Sequence, residues 1–218
     1  MPNPESVRTA LDGAAKHLCW SCREETGEGP FCESCVKIQP AELMGDYFAL
    51  FELPRAYAVD AQYLKNKFYE LSRKFHPDFY GDKTDAEKTL ARDNSAYLNT
   101  AFRTLSDPIK RAEYLLVRCA RGYRVDLVPP QGLFEEILTA GELLEKNSLS
   151  SEDLTTLRET GRVFAVRQDE RIVSLAGLFD RLVAGDDAAK GEIENAINEI
   201  KYLRTILDRI DQRLHKTI

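Results

Sequence analysis

The sequence predicts an all-α protein carrying a small metal-binding module ahead of its helices. Three observations predict it. Long stretches place apolar residues three and four positions apart, the period of a helix with one buried face. Prolines and capping residues cut these stretches into separate helices. Four cysteines fall within seventeen residues as two CxxC pairs, no stretch outside that module reads as strand, and the chain shows no internal repeat.

The chain has 218 residues, enough for one to three domains with a real core. Charged residues make up 30% and apolar residues 43%, the profile of a soluble globular protein. A net charge of −6 argues against nucleic acid as the main partner. No apolar run approaches the ~20 residues of a membrane-spanning helix. Residues 1–18 read as a leader without the apolar core of a secretory signal and without the charge pattern of a mitochondrial presequence. The odd fifth cysteine, Cys119, with no secretory signal, points to a reducing compartment and to metal rather than disulfides.

The tetracysteine module occupies 19–36, and VKIQPAELMGD up to residue 46 reads as a linker punctuated by Pro40 and Gly45. YFALFEL, 47–53, is a short helix stopped by Pro54. Asp60 caps the next helix, whose inner positions are Ala61, Leu64, Phe68, Leu71 and Phe75. Pro77 ends it by disfavouring helical geometry at His76. A long helix follows over about 84–105, with Ala86, Leu90, Tyr97, Ala101 and Leu105 inward and Leu98 and Phe102 beside them. Ser106-Asp107-Pro108 is a stop, an N-cap and a proline at the first helical position, so a fresh helix runs on to Cys119, a small buried hydrophobe. ARGYRVDLVPP, 120–130, is a second linker.

Residues 130–218 then predict three antiparallel helices: about 131–146, a second from the capping pattern at Ser150-Ser151-Glu152-Asp153 to about 183, and a third over about 187–215. The second keeps its 3/4 spacing from Leu154 to Leu182 with one lapse, Gln168. The third repeats Ile193, Ala196, Ile200, Leu203, Leu207, Ile210 and Leu214 without a slip.

CWSCREETGEGPFCESC holds Cys19, Cys22, Cys32 and Cys35. Two CxxC turns present four thiolates to one ion, the donor set of structural Zn2+. Iron in a rubredoxin-like site is the competing metal, and a redox dithiol the less economical reading of two pairs. Gly27 and Gly29 let the loop turn back, and Trp20 and Phe31 cover its apolar side. Glu24, Glu25, Glu28 and Glu33 against Arg23 leave little support for reading DNA. His17 is a spare ligand candidate by position; His215 reads as a surface residue.

RKFHPDFYG, 73–81, is by itself a helix-ending turn with a satisfied imidazole. Its flanks say more. Lys65, Lys67, Arg73 and Lys74 stand against Glu70 alone, a basic face in an acidic chain that leads to an exposed loop. YFALFELP, the basic helix YLKNKFYELSRKF, HPD and AYLNTAFRTLSDPIKRAEYLL together resemble a J-domain, over 46–120. DYFALFELP, HPDFY and LSDPIKRAEYLL are similar, more narrowly, to the HscB family of iron–sulfur cluster co-chaperones, a subset of which carries an N-terminal pair of CxxC motifs.

That resemblance implies a mechanism by contact. His76, Pro77 and Asp78 form the essential loop, and Lys65, Lys67, Arg73 and Lys74 dock it on the ATPase domain of a DnaK-type chaperone such as HscA. The three-helix domain binds the iron–sulfur scaffold IscU, with Leu133, Phe134, Ile137, Leu138 and Tyr202 as the contact residues. Leu138 and Gly141 stand where the best-known members carry acids, so the resemblance carries over the apolar part of that contact. It implies neither nucleic acid nor membrane as partner, leaves a weak homodimer open, and gives no catalytic residue, the protein not being an enzyme. The bacterial cytoplasm is the expected compartment, with the mitochondrial matrix as the alternative. Two other functions fit the residues: a general J-protein with another client, and a metal or redox sensor on a helical scaffold.

Overall fold

The structure is a computed structural model describing residues 17–27, 29–119, 130 and 132–216. The leader expected over 1–18 except its last two residues, the linker over 120–130 except Pro130, and the burial of the Cys119 side chain lie outside the described residues. Among the described residues the secondary structure is helical, with only two isolated β-bridges, both in the cysteine module. The helices are α1 (Tyr47–Leu50), α2 (Ala61–Phe75), α3 (Asp85–Ser106), α4 (Pro108–Cys119), α5 (Phe134–Glu145), α6 (Ser151–Val183) and α7 (Ala188–His215).

Capping chemistry sets the boundaries. The Asp60 carboxylate accepts the amides of Gln62 and Tyr63 at the start of α2. Asp107 Oδ1 accepts the amides of Ile109 at 2.8 Å and Lys110 at 3.1 Å, opening α4 behind Pro108. Ser150 and Asp153 form a reciprocal capping box on α6. Lys146 bonds Asp153 and, with the Ser150 amide, holds its carboxyl down at about 2. Replacing Ser150 with Ala is expected to cost about 1 kcal/mol, read as a lower midpoint of thermal unfolding with the helical signal unchanged.

The chain divides into two compact units. The first runs to Arg55 and resumes over Val59–Ser106. In it α2 packs on α3, burying Leu64, Leu71 and Phe75 against Ala91, Leu98, Ala101 and Leu105. Phe68 stacks on Phe102 with ring centres 4.2 Å apart.

The buried face of α3 differs from the expected one. It runs through Glu87, Ala91, Asn94, Leu98, Ala101 and Leu105, while Ala86 is exposed and Leu90 and Tyr97 are only half-buried. Two of its positions are polar, so counting apolar residues rotates the apparent face. Both polar side chains are satisfied from the stretch expected to be a linker. Lys37 Nζ meets Glu87 Oε1 at 2.9 Å. Asn94 accepts the Ala41 amide and donates to the Gln39 carbonyl, each at 2.8 Å. Ile38, Gln39 and Ala41 are buried. Residues 36–46 are therefore docked on α3, because burying Asn94 and Glu87 is tolerable only with partners in place.

The second unit holds Ala56–Ala58 and the chain from Asp107 onward. α6 and α7 pack along their length, and α5 and α4 each pack on both. Leu133, Ala140, Leu143, Leu157, Phe164, Leu203, Ile206 and Ile210 make one core. The lapse at Gln168 is resolved by a hydrogen bond from its Nε2 to the Ile200 carbonyl at 3.2 Å. The nearly buried Glu199 takes Arg167 Nε at 2.6 Å and Arg171 Nε at 2.7 Å on its two oxygens. Tyr57 stacks on Phe179 with centres 5.3 Å apart and lies under the Arg111 guanidinium. α4 thus packs with the bundle helices.

Candidate docking surfaces and metal centre

The turn after α2 is built from a buried anchor outward. His76 is extended (φ −62°, ψ 124°), as a residue before proline must be, and Pro77–Tyr80 forms a single 3-10 turn. Tyr80 is buried and its hydroxyl donates to the Lys74 carbonyl at 2.8 Å. Ser95 Oγ of α3 donates to the Phe75 carbonyl at 2.9 Å. These two bonds satisfy carbonyls that the end of α2 leaves without helical partners. The anchor holds the rest outside: the side chains of His76 and Asp78 are 51% and 86% exposed. His76 Nδ1 accepts the Asp78 amide at 3.3 Å, which leaves Nε2 to carry the ring N–H. Phe79 is exposed, edge-on to the His76 ring with centres 6.0 Å apart.

The basic face is uneven. Lys67 is mostly buried between Glu52 Oε1 at 2.9 Å and Glu70 Oε2 at 3.2 Å. The Glu52 carboxylate, and then Glu70, raise its pKa. Lys74 pairs with Glu70 at 2.7 Å and lowers the Glu70 carboxyl. Lys65 and Arg73 are exposed and make no ion pair among the described residues. Tyr69, half-exposed, stands between them at four-residue intervals on α2. Tyr69 and Phe79 are exposed aromatic side chains on this surface that sequence reasoning does not single out. The four-residue spacing of Tyr69 was the available signal, and for Phe79 there was none beyond its place in the turn.

The four cysteines come together. Cys19 and Cys35 Sγ are 3.6 Å apart, Cys22 and Cys32 Sγ 3.7 Å, and all four sulfurs lie within 4.8 Å of one another. A tetrahedron with metal–sulfur bonds of about 2.3 Å has edges of about 3.8 Å. Each CxxC is a knuckle of one design. Cys19 N–H donates to Glu24 O and Arg23 N–H to Cys19 O; thirteen residues on, Cys32 N–H donates to Lys37 O and Val36 N–H to Cys32 O. The bridges Leu18–Glu25 and Phe31–Ile38 close the two copies. Arg23 and Val36 both take a left-handed backbone (φ 66° and 59°). LCWSCREE and FCESCVKI are therefore a structural repeat, faint in the sequence because five of its eight positions differ.

The donor chemistry fits a metal ion. Burial pushes the Cys19 thiol up, but the amides of Cys22 and Ser21 and the neighbouring thiols outweigh it and hold it down at about 6. For Cys22 the Glu24 amide lowers the pKa, yet burial and the other three sulfurs push it up to about 12. Four touching thiols cannot all ionise without a cation among them. Gln39 points the same way. Its buried Nε2 faces Cys19 Sγ at 3.3 Å, Lys37 O at 2.9 Å and Ile38 O at 3.2 Å, while its Oε1 is buried and unpaired. Three acceptors around one atom require the N–H2 there, and a metal-bound thiolate is the acceptor that best repays the orphaned oxygen. Gly27 turns the loop at φ +46°, where a Cβ would fall 2.2 Å from Glu33 Oε1. Trp20 Nε1 donates to Ile38 O at 2.7 Å.

On α5, Phe134 and Leu138 are 67% and 50% exposed, one turn apart. Ile137 and Tyr202 are half-buried against the core, and Leu133 belongs to it. Of the five residues expected to meet a scaffold, two are outward, two flank them from below and one supports from inside.

Comparison with known proteins agrees with these features. A DnaJ-domain model matches residues 46–114. The iron–sulfur cluster co-chaperone HscB of Homo sapiens is 26% identical over 198 residues, covering 88% of this chain and 80% of that protein. HscB of Mus musculus is 37% identical over 102 residues, covering 45% of this chain and 44% of the mouse protein. The crystal structure of human HscB superposes with a TM-score of 0.73 at 24% identity, over 90% of this chain and 98% of that one. Among the described residues no helix is long and apolar enough to cross a membrane. With the anchored His-Pro-Asp turn, the tetracysteine cluster and the helical bundle in one chain, this protein carries a DnaJ domain over residues 46–114 and is similar in sequence and fold to the HscB co-chaperones.

Proposed function

We propose that the chain serves iron–sulfur cluster assembly by bridging a DnaK-type chaperone of the HscA kind and the scaffold IscU. The observation that carries this is the His76-Pro77-Asp78 turn, solvent-facing yet pinned by Tyr80 and Ser95. Such a turn can meet another protein without rearranging, so little binding free energy is lost to ordering. Lys65 and Arg73 steer the encounter with an acidic ATPase surface; Lys67 and Lys74 act chiefly by holding Glu52 and Glu70 in place. Docking biases the chaperone toward its hydrolysing state through differential contacts, with no bond made or broken by this chain. Phe134 and Leu138 form the apolar centre of the scaffold site, with Ile137 and Tyr202 at its edge and Leu133 as its floor. The four thiolates hold Zn2+ as a structural ion. The free cysteines suit a reducing compartment, the bacterial cytoplasm first and the mitochondrial matrix as alternative.

The test is chaperone ATPase measured with this chain, with and without IscU. Wild type is expected to stimulate turnover alone and more strongly with IscU. Phe134→Ser combined with Leu138→Ser should weaken IscU binding about tenfold or more and leave the IscU-independent stimulation unchanged. Unchanged IscU affinity in the double variant rules out this face of α5 as the scaffold site.

A further inference from the structure

The cysteine module reaches the docking turn by two routes. In the first, Lys37, two residues past Cys35 and bonded through its carbonyl to the Cys32 amide, extends its ammonium to Glu87 Oε1 at 2.9 Å. The other oxygen, Glu87 Oε2, accepts the Thr84 amide at 3.2 Å and the Thr84 hydroxyl at 2.8 Å. Thr84 Oγ1 faces the Glu87 amide in return at 3.4 Å. This is a capping box that fixes where α3 begins. It is also the downstream end of the turn, since Lys83 N–H donates to Tyr80 O at 3.0 Å. One buried carboxylate thus serves the knuckle with one oxygen and the turn with the other.

In the second route Gln39 presents its amide to Cys19 Sγ at 3.3 Å and its backbone carbonyl to Asn94 at 2.8 Å. Asn94 is buried and also takes the Ala41 amide. The next residue, Ser95, holds the Phe75 carbonyl, one position ahead of His76. The two routes therefore meet α3 at the two ends of the loop, Glu87 after it and Ser95 before it.

We infer that the tetracysteine module is a metal-dependent brace of the His76–Thr84 loop, with Lys37–Glu87 and Gln39–Asn94 as the positioning pairs that couple a divalent ion at the four sulfurs to the order of the docking turn. Both knuckles take a left-handed backbone at a non-glycine residue, a conformation held only by the surrounding bonds and the shared ion. When the ion leaves, the knuckles no longer fix the backbone that carries Lys37 and Gln39, so their bonds to Glu87 and Asn94 weaken and the buried Glu87 carboxylate holds its cation less firmly. Both routes end on α3, inside the first compact unit. The inference deepens the docking reading above, and its test is independent of whether any chaperone responds.

The experiment is amide hydrogen exchange on the full chain under reducing conditions, metal-loaded and after chelation, with metal content measured on each sample. Chelated wild type should exchange about tenfold or more faster over residues 77–90, with the amides of α6 and α7 unchanged. Lys37→Met, still metal-loaded, should raise exchange at 84–87 by about fivefold, and chelation should then add less there than it does in wild type. Glu87→Gln gives the same comparison should Lys37→Met not accumulate. Equal exchange over 77–90 in loaded and chelated wild type overturns the inference. So does a chelation effect of the same size in wild type and in the Lys37 or Glu87 variant. A failure of the docking reading alone would appear in the ATPase assay and leave this exchange pattern in place.

Discussion

His76→Gln is expected to reduce stimulation of a DnaK-type ATPase about tenfold or more, with the fold intact. The reasoning starts from what the imidazole holds. Nδ1 accepts the Asp78 amide and the ring meets Phe79 edge-on, so His76 orders the exposed half of the turn. Glutamine is polar and of similar length, but its third side-chain torsion and lack of a ring lose both contacts at once. The buried half is untouched, because Tyr80 and Ser95 bond backbone carbonyls rather than His76. The unfolding midpoint should therefore move by no more than a surface substitution allows, about 0.5 kcal/mol. ATPase stimulation and thermal unfolding measured on one preparation check both halves. A variant that stimulates as wild type does removes His76 from the contact; one that loses activity together with its helical signal shows a structural role instead.

Metal removal is expected to unfold the cysteine module while the bundle persists. Two knuckles with so few buried side chains cannot fold on their own burial, and ion binding to four thiolates supplies on the order of 10 kcal/mol. The chain has one tryptophan, so its fluorescence reports this module specifically. Trp20 is tied to Ile38 O, and its emission should shift to the red on chelation. Helical signal from α6 and α7 should stay, their core residues lying in the other compact unit. Cys22→Ser should give the same spectrum without chelator. A chelated chain whose Trp20 emission does not move would leave the sulfurs without a structural role. The metal released, zinc or iron, is read by elemental analysis.

Much of the helical layout was legible because it rests on local chemistry. Asp60, Asp107-Pro108 and the Ser150–Asp153 box each fix a terminus within a few residues of sequence. The bundle seams follow from periodicity, and even Gln168 breaks the seam at little cost, since its amide finds the Ile200 carbonyl. The cysteine cluster was legible for the same reason, its spacing being its geometry. The buried face of α3 was not. Glu87 and Asn94 count as lapses in an apolar pattern, and their partners stand about fifty residues upstream. Nor could the sequence separate Lys67 from Lys65. Glu52 reaches Lys67 from a left-handed position (φ 55°) that no local pattern announces. The knuckle repeat was hidden because backbone bonds, not side chains, carry it.

The division at residues 106–107 bears on whether the docking element is severable. The DnaJ match extends to residue 114, yet α4 and Tyr57 pack with α6 and α7. A fragment cut at the end of the match would take Phe179 from Tyr57 and the guanidinium-bearing α4 from its packing on α6 and α7. One cut at Ser106 would discard part of the matched domain. The two activities proposed for this chain are thus interleaved along the polypeptide: residues 56–58 and the first part of α4, up to residue 114, fall inside the DnaJ match and inside the bundle unit alike. Neither can be shuffled out as a self-contained cassette without remaking an apolar surface.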